Sequence, residues 1–127
     1  DSLSAGSMPA GFVHPLVLRV MDDMHIPVIN QRSKSWQEFR GYSLDLVITV
    51  CEEASNEVCP VWPERGPTVH WPLPDPSFHP GTPTDQIQHA RRVAERLKLK
   101  LQHLVALDWQ NHDAHDLMPE LERLADL

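Results

Sequence analysis

The chain has 127 residues, of which 41% are hydrophobic and 23% charged, so it is long enough for one domain with a hydrophobic core. Its formal net charge of −7, without any basic run, argues against nucleic acid or an anionic membrane surface as a partner. The longest apolar run is too short to span a bilayer and no signal segment opens the chain, which predicts a soluble, cytoplasmic protein.

The first half of the chain predicts two strands separated by a helix. Residues 2–5 are expected to be the end of a strand, and apolar residues spaced four apart predict a helix over residues 14–25, ended by Pro27. Residues 31–39 are polar and predict no more than a helical turn. The nearly continuous apolar run at 44–50 predicts a strand buried on both faces, as in a parallel sheet.

The second half predicts a short strand over residues 68–71 and a long amphipathic helix. Thr82 is suited to be the N-cap of this helix, with Pro83 at the first helical position and Asp85 at N3. Its predicted apolar stripe consists of Ile87, Ala90, Val93, Ala94, Leu97, Leu101, Leu104 and Val105.

The end of the chain predicts a polar break over residues 108–116 and then a short last helix. That helix is marked by Leu117, Leu121 and Leu124. Because strands alternate with helices along the chain, the predicted fold class is α/β.

Two features of the sequence are candidates for a catalytic role, namely the pair of cysteines and an aspartate between two prolines. Cys51 and Cys59 form the complete set of cysteines, and such a pair in a chain without a secretory signal favours redox or catalytic use, although two incidental thiols are the alternative. Asp75 stands between Pro74 and Pro76, which limit the backbone and hold the carboxylate in one direction. An ordinary Asp-Pro turn is the alternative for this segment.

Six short motifs follow one another in a distinctive order. They are SAG at 4–6, VHP at 13–15, QRSKSW at 31–36, VITVC at 47–51, CPVWP at 59–63 and HWPLPDP at 70–76. In this order and at these spacings the chain resembles arsenate reductases of the low-molecular-weight protein tyrosine phosphatase superfamily. The resemblance covers residues 1–107, and residues 108–127 are interpreted as a C-terminal helical extension.

The resemblance implies a fold in which a parallel sheet is flanked by helices. In that family the first strand is central and leads into a Cys-x5-Arg phosphate loop, whereas this chain corresponds to the family from its second strand onward. The chain is therefore expected to be truncated, without its central first strand and nucleophilic loop, and to be inactive alone. A strand-complementing or swapped partner chain is expected to fill the vacant position.

The segment from Cys59 to Arg65 satisfies the Cys-x5-Arg pattern literally. A phosphate loop needs successive backbone N–H donors, but Pro60 and Pro63 lack this group and Glu64 repels an oxyanion. This segment is therefore not expected to be the catalytic loop.

The resemblance also implies a chemistry, in which arsenate is reduced to arsenite for arsenic detoxification. The substrate is arsenate or a phosphate-like oxyanion, and the reductant is thioredoxin or glutaredoxin with glutathione. Cys51 and Cys59 occupy the positions of the two relay cysteines, and Asp75 matches the general acid. No cofactor and no metal ion is expected.

Two segments resemble the support of the phosphate loop, namely Ser4 and residues 33–35. Some relatives bind potassium at this place with an acidic residue. Since Lys34 brings its own positive charge, we expect no potassium dependence.

Two other functions are left open by the sequence. One is a protein tyrosine phosphatase, against which the paired thiols argue, and the other is a catalytically inactive interaction or regulatory module. The histidines at 103, 112 and 115 have a spacing that metal sites also use, but solvated loop side chains are the preferred interpretation.

Overall fold

A computed structural model describes residues 1–52 and 66–127. The strands are β1 (Val47–Thr49) and β2 (Thr68–His70), the α-helices are α1 (Pro15–Asp23), α2 (Pro83–Val105) and α3 (Met118–Arg123), and two 3-10 turns cover Trp36–Phe39 and Leu124–Asp126. The elements form a small parallel sheet with three α-helices, which confirms the predicted α/β class.

The two strands run parallel, with Val47 opposite Thr68 and Thr49 opposite His70. The expected strand over residues 2–5 is reduced to one parallel bridge between Gly6 and Ser35. The expectation that β1 is buried on both faces was wrong, because its residues are half-buried and Val50 beyond its end is 45% exposed. Among the described residues β1 forms its hydrogen-bond ladder with β2 alone. The other edge of β1 therefore has no neighbouring strand in this part of the chain.

The helix beginnings follow the capping signals of the sequence. The His14 side chain accepts a hydrogen bond from the Leu16 N–H at the start of α1. α2 begins with a capping box, in which Thr82 and Asp85 each accept the backbone N–H of the other. The predicted N-terminus of α2 is therefore confirmed, and the charge of Asp85 lies where the helix dipole favours it.

The predicted apolar stripe of α2 is confirmed at Ala90 and Val93 and at Leu104, which packs against the core, but was wrong at Leu101 and Val105. Ala90 and Val93 are buried, whereas Leu101 is 41% exposed and Val105 is 75% exposed. Lys100 also lies on the buried side, because its ammonium group donates hydrogen bonds to backbone oxygens at the end of the chain. The hydrogen bonds satisfy the buried ammonium group and offset part of the cost of burying it.

The main hydrophobic core lies between β2 and the end of the chain. Its buried members are Val69, Trp71, Ala114, Leu117, Leu121 and Leu124. α3 lies against β2, so the predicted last helix is present and contributes to the core directly. α1 packs against α2 as a second contact between helices. None of the helices formed by the described residues is long and apolar enough to cross a membrane.

Candidate active site at the carboxyl edge of the sheet

The chain segments that leave β1 and β2 continue side by side beyond the strands. The Trp71 N–H donates to the Thr49 carbonyl at 2.8 Å, and the Leu73 N–H donates to the Val50 carbonyl at 3.2 Å. Cys51 directly follows Val50, and Asp75 lies shortly beyond Leu73. Because parallel strands end at the same edge of a sheet, both predicted site residues lie at that carboxyl edge, where α/β proteins place their ligands.

The Asp75 side chain is exposed and has a defined orientation. Its Oδ1 accepts hydrogen bonds from the Ser77 backbone N–H at 2.8 Å and from the Ser77 hydroxyl at 2.6 Å. Pro74 and Pro76 restrict the backbone on both sides. The carboxylate is thus held by its own loop while remaining accessible to a ligand.

The two cysteines differ in what the structure describes. Cys51 is half-buried and disulfide-bonded. Cys59, the other cysteine of the chain, lies outside the described residues, as does the rest of the Cys59–Arg65 segment. The disulfide removes a free thiolate from Cys51, so this state corresponds to the oxidised form of the residue.

A second polar group, made up of Ser4, Arg32 and Lys34, connects the two segments that are expected to support an oxyanion loop. The Lys34 ammonium donates to the Ser4 hydroxyl at 3.4 Å and to the Arg32 carbonyl at 3.1 Å. The backbone bond from the Gly6 N–H to the Lys34 carbonyl, 3.0 Å long, fixes the same pair of segments. Ser33 accepts from the Gly11 N–H. The structure therefore brings together Ser4 and residues 33–35, the two segments that resemble the support of a phosphate loop.

An exposed ion pair lies beside this group. Arg32 donates two hydrogen bonds to the carboxylate of Glu38, the shorter of them 2.6 Å. This contact lowers the pKa of Glu38 and raises the pKa of Arg32, chiefly through the hydrogen bonding. The Lys34 ammonium donates its hydrogen bonds to neutral oxygens, and its charge also contributes to the lowered pKa of Glu38.

Sequence reasoning missed two residues near Asp75. The His89 imidazole on α2 contacts the Asp75 carbonyl at 2.9 Å, and the rings of His79 and His89 are stacked with their centroids 4.5 Å apart. The residues are far apart in the sequence and share no recognisable motif, so only the fold brings them together. Thr49 and His70 were also missed, although their side chains are linked at 2.7 Å across the ends of the strands.

The described residues include no group of three or more histidine, cysteine, aspartate or glutamate side chains arranged to hold a metal ion. His103 contacts the Leu99 carbonyl of its own helix, and His112 contacts Asp108. Asp113 and Asp116 each accept the backbone N–H of the other. These side chains therefore make local contacts within the polar segment and its preceding helix.

The fold and the site define an α/β protein with a cysteine and a proline-flanked aspartate at the carboxyl edge of a parallel sheet. Comparison with known proteins gives the family. The chain belongs to the low molecular weight phosphotyrosine protein phosphatase family, whose model matches residues 1–111. This confirms the family resemblance and the phosphatase-like fold.

Individual relatives are also similar to the chain. It is 32% identical over 97 residues to an arsenate reductase of Halalkalibacterium halodurans, covering 76% of this chain and 68% of that protein. It is 35% identical over 96 residues to an arsenate reductase of Bacillus cereus, covering 75% and 68% respectively. An arsenate reductase 2 of Staphylococcus haemolyticus is 30% identical over 87 residues, covering 68% and 63%.

Proposed function

We propose that this protein is an arsenate reductase-type enzyme, which reduces arsenate to arsenite with a thiol reductant. The observation that carries the proposal is the pairing of the segments beyond β1 and β2, which brings Cys51 and the Asp75 loop to one edge. The similarity to arsenate reductases over most of the chain supports the same assignment. The cytoplasm, where thiol reductants are abundant, is the proposed location.

In the proposed reaction a nucleophilic thiolate attacks arsenic and Asp75 protonates the leaving oxygen, which departs as water. Cys51 then attacks the sulfur of the thiol–arsenic adduct, a disulfide forms between the two sulfurs, the S–As bond breaks with its electron pair left on arsenic, and arsenite leaves. Cys59 attacks Cys51, so a Cys51–Cys59 disulfide forms and the nucleophile is released as a thiolate. The sum is one arsenate and two thiols giving arsenite, one disulfide and water.

The nucleophile of this scheme is proposed to come from outside these 127 residues. The one literal Cys-x5-Arg segment, Cys59–Arg65, contains two prolines and a glutamate, which do not suit an oxyanion. A strand-complementing or swapped partner chain is one proposed source, and an additional segment of the same polypeptide is the other. Among the described residues β1 pairs with β2 alone, so its other edge is the proposed place for such a strand.

The reductant that reopens the Cys51–Cys59 disulfide is proposed to be thioredoxin, with glutaredoxin and glutathione as the alternative. The disulfide at Cys51 is the oxidised state that such a reductant would reopen. Glu52 and Glu53 next to Cys51 disfavour a thiolate there, so exchange driven by a partner protein is favoured over spontaneous reaction.

The test is an assay of arsenite release by the protein purified from its native source, after its intact mass and N-terminal sequence have been determined. The assay is run with thioredoxin, thioredoxin reductase and NADPH, and in parallel with glutaredoxin and glutathione. Cys51→Ser and Cys59→Ser should each abolish multiple turnover. Asp75→Asn should lower kcat by about a hundredfold or more, as expected for loss of a general acid.

The matched control is Asp45→Asn, which neutralises another exposed aspartate, located before β1. It should leave kcat unchanged. Arsenite release by Cys51→Ser at the wild-type rate would exclude the proposed thiol relay. Hydrolysis of p-nitrophenyl phosphate without arsenite release would identify a phosphatase instead, and the absence of both activities would favour a non-catalytic interaction module.

A further inference from the structure

The loop that carries Asp75 is attached to α2 by a contact between a side chain and a backbone group. Nε2 of His89 lies 2.9 Å from the carbonyl oxygen of Asp75, a residue 14 positions earlier in the chain. A carbonyl oxygen only accepts hydrogen bonds, so the proton of this bond belongs to Nε2. His89 therefore donates to the backbone of Asp75 rather than to its carboxylate.

A second imidazole packs on His89 from the same loop. The rings of His79 and His89 are stacked, with centroids 4.5 Å apart and planes inclined by 13°. Both residues are half-buried. The stack restricts rotation of the His89 ring, so both ends of the 75–79 loop are attached to one side chain of α2.

The helix provides a fixed base for this attachment. The capping box of Thr82 and Asp85 orders the first turn of α2, one to two turns before His89. Further along the same helix, Lys100 donates three hydrogen bonds to the end of the chain. A donor placed on such a helix has a defined position relative to the sheet.

The two sets of contacts on Asp75 complement each other. Ser77 binds Oδ1 from within the loop, and His89 binds the carbonyl from the helix. Rotation of the Asp75 backbone would break the bond to His89 and turn the carboxylate together with Ser77. His89 is therefore able to set the direction in which the whole loop presents its acid.

We propose that His89 is a positioning residue for Asp75, with His79 holding the His89 ring by stacking. This inference rests on the proposed function for the role of Asp75, and it adds a residue that acts on the general acid through its backbone. The closing experiment distinguishes failure of this inference from failure of the proposed function, because it measures the order of the loop and the enzymatic activity separately.

The experiment compares two substitutions in the protein purified as for the arsenite assay. His89→Phe keeps a ring that can stack on His79 but has no donor. His89→Gln keeps an N–H donor at a similar reach but loses the ring. The matched controls are His103→Phe and His103→Gln, on the same helix, where the exposed histidine contacts only its own helix in the described structure.

Two readouts are measured for each variant. The first is structural: long-range ¹H–¹⁵N spectra report the protonated nitrogen of wild-type His89, and amide exchange of Ser77 and Phe78 reports the order of the loop. The second is the pair of constants kcat and KM for arsenate. Neutral His89 should carry its proton on Nε2.

His89→Phe should accelerate amide exchange in the loop and lower kcat by roughly five- to tenfold, the loss expected for one neutral hydrogen bond. KM should change by less than about twofold, because positioning an acid affects the step after binding. His89→Gln should recover most of kcat, and both His103 variants should match the wild type.

Two results would overturn the proposal. Unchanged loop exchange and kcat in His89→Phe would show that the donated hydrogen bond positions nothing, and a loss in His89→Gln alone would then assign the effect to ring packing. A loss in His89→Gln as large as that in His89→Phe would show that a restored donor does not reposition the loop. If the wild-type protein releases no arsenite, the proposed function fails. The tautomer and amide exchange then still decide whether His89 holds the loop.

Discussion

The indole Nε1 of Trp71 donates a hydrogen bond to the backbone carbonyl of Leu121 at 2.9 Å, and both residues are fully buried. Trp71 directly follows β2, and Leu121 lies in α3. The match to the family ends at residue 111, so α3 belongs to a segment beyond it. This bond joins that segment to the strand from which the Asp75 loop departs.

The first prediction concerns the core that this segment forms. Leu121→Ala should lower the free energy of unfolding by about 2–5 kcal/mol, since it leaves a cavity beside Trp71. Leu101→Ala is the matched control, because Leu101 is 41% exposed on α2 and its truncation leaves no enclosed cavity. The measurement is urea unfolding followed by circular dichroism. A loss of less than about 1 kcal/mol in Leu121→Ala would mean that α3 is not part of the cooperative core.

The second prediction concerns Lys100, whose ammonium donates to the backbone oxygens of Leu124, Ala125 and the last residue, Leu127, at 2.7–2.9 Å. Lys100→Met keeps a long apolar chain but leaves these acceptors without their donor. Leaving buried acceptors unsatisfied costs about 1–3 kcal/mol, so the free energy of unfolding should fall by that order.

Lys98→Met is the matched control for this substitution, because Lys98 is exposed two residues earlier on the same helix. Its unfolding free energy should stay within about 0.5 kcal/mol of the wild type. Burial lowers the pKa of Lys100, which indicates that desolvation opposes the charge. A Lys100→Met variant more stable than the wild type would show that this desolvation exceeds the gain from the carbonyl bonds.

The third prediction concerns the pH dependence of the α2 capping box. The backbone N–H of Thr82 donates to Asp85 and lowers the pKa of its carboxyl. The unfolded chain therefore binds a proton at Asp85 more readily than the folded one, so the contribution of Asp85 is present above its ordinary pKa of about 3.9. It is lost as the pH falls through the lower folded value.

Asp85→Asn removes the ionised group and checks this directly. The difference in unfolding free energy between the wild type and Asp85→Asn should be largest near neutral pH and should shrink below about pH 4. Urea unfolding from pH 7 to pH 3 measures it. A difference that stays constant over this range would mean that the carboxylate charge does not stabilise the start of α2.

Capping signals and apolar periodicity allowed most of the fold to be predicted from the sequence. Thr82, Pro83 and Asp85 are local signals that act within one turn, so the start of α2 could be predicted. The extents of the strands were less predictable, because burial of β1 depends on neighbours remote in the chain. Lys100 interrupted the stripe because its partners are carbonyls, which carry no side-chain signal.

The candidate site was likewise predictable from the sequence only in part. The resemblance assigned both Ser4 and residues 33–35 to the support of a phosphate loop, and the backbone bond between Gly6 and Lys34 joins these two segments. The contact of His89 with Asp75 was not predictable, since its acceptor is a main-chain oxygen and its position depends on the packing of α2. The roles of Cys51, Cys59 and Asp75 stay predictions until the variants are assayed.

The last prediction concerns the cation at the second polar group. The Lys34 ammonium binds the Ser4 hydroxyl and the Arg32 carbonyl, so a fixed positive charge already lies between neutral oxygens that also suit a bound cation. Replacing sodium by potassium at constant ionic strength should therefore change kcat and KM for arsenate by less than about twofold, because a second cation beside the ammonium is repelled.

Lys34→Met tests the cause, because it removes the charge and keeps most of the chain length. This variant should lose activity in sodium buffer and regain part of it in potassium, while Lys98→Met should respond to neither ion. The lysine at 98 is exposed on α2 and serves as the matched control. Strong activation of the wild type by potassium would contradict the prediction, since it would require a cation site that coexists with the Lys34 ammonium.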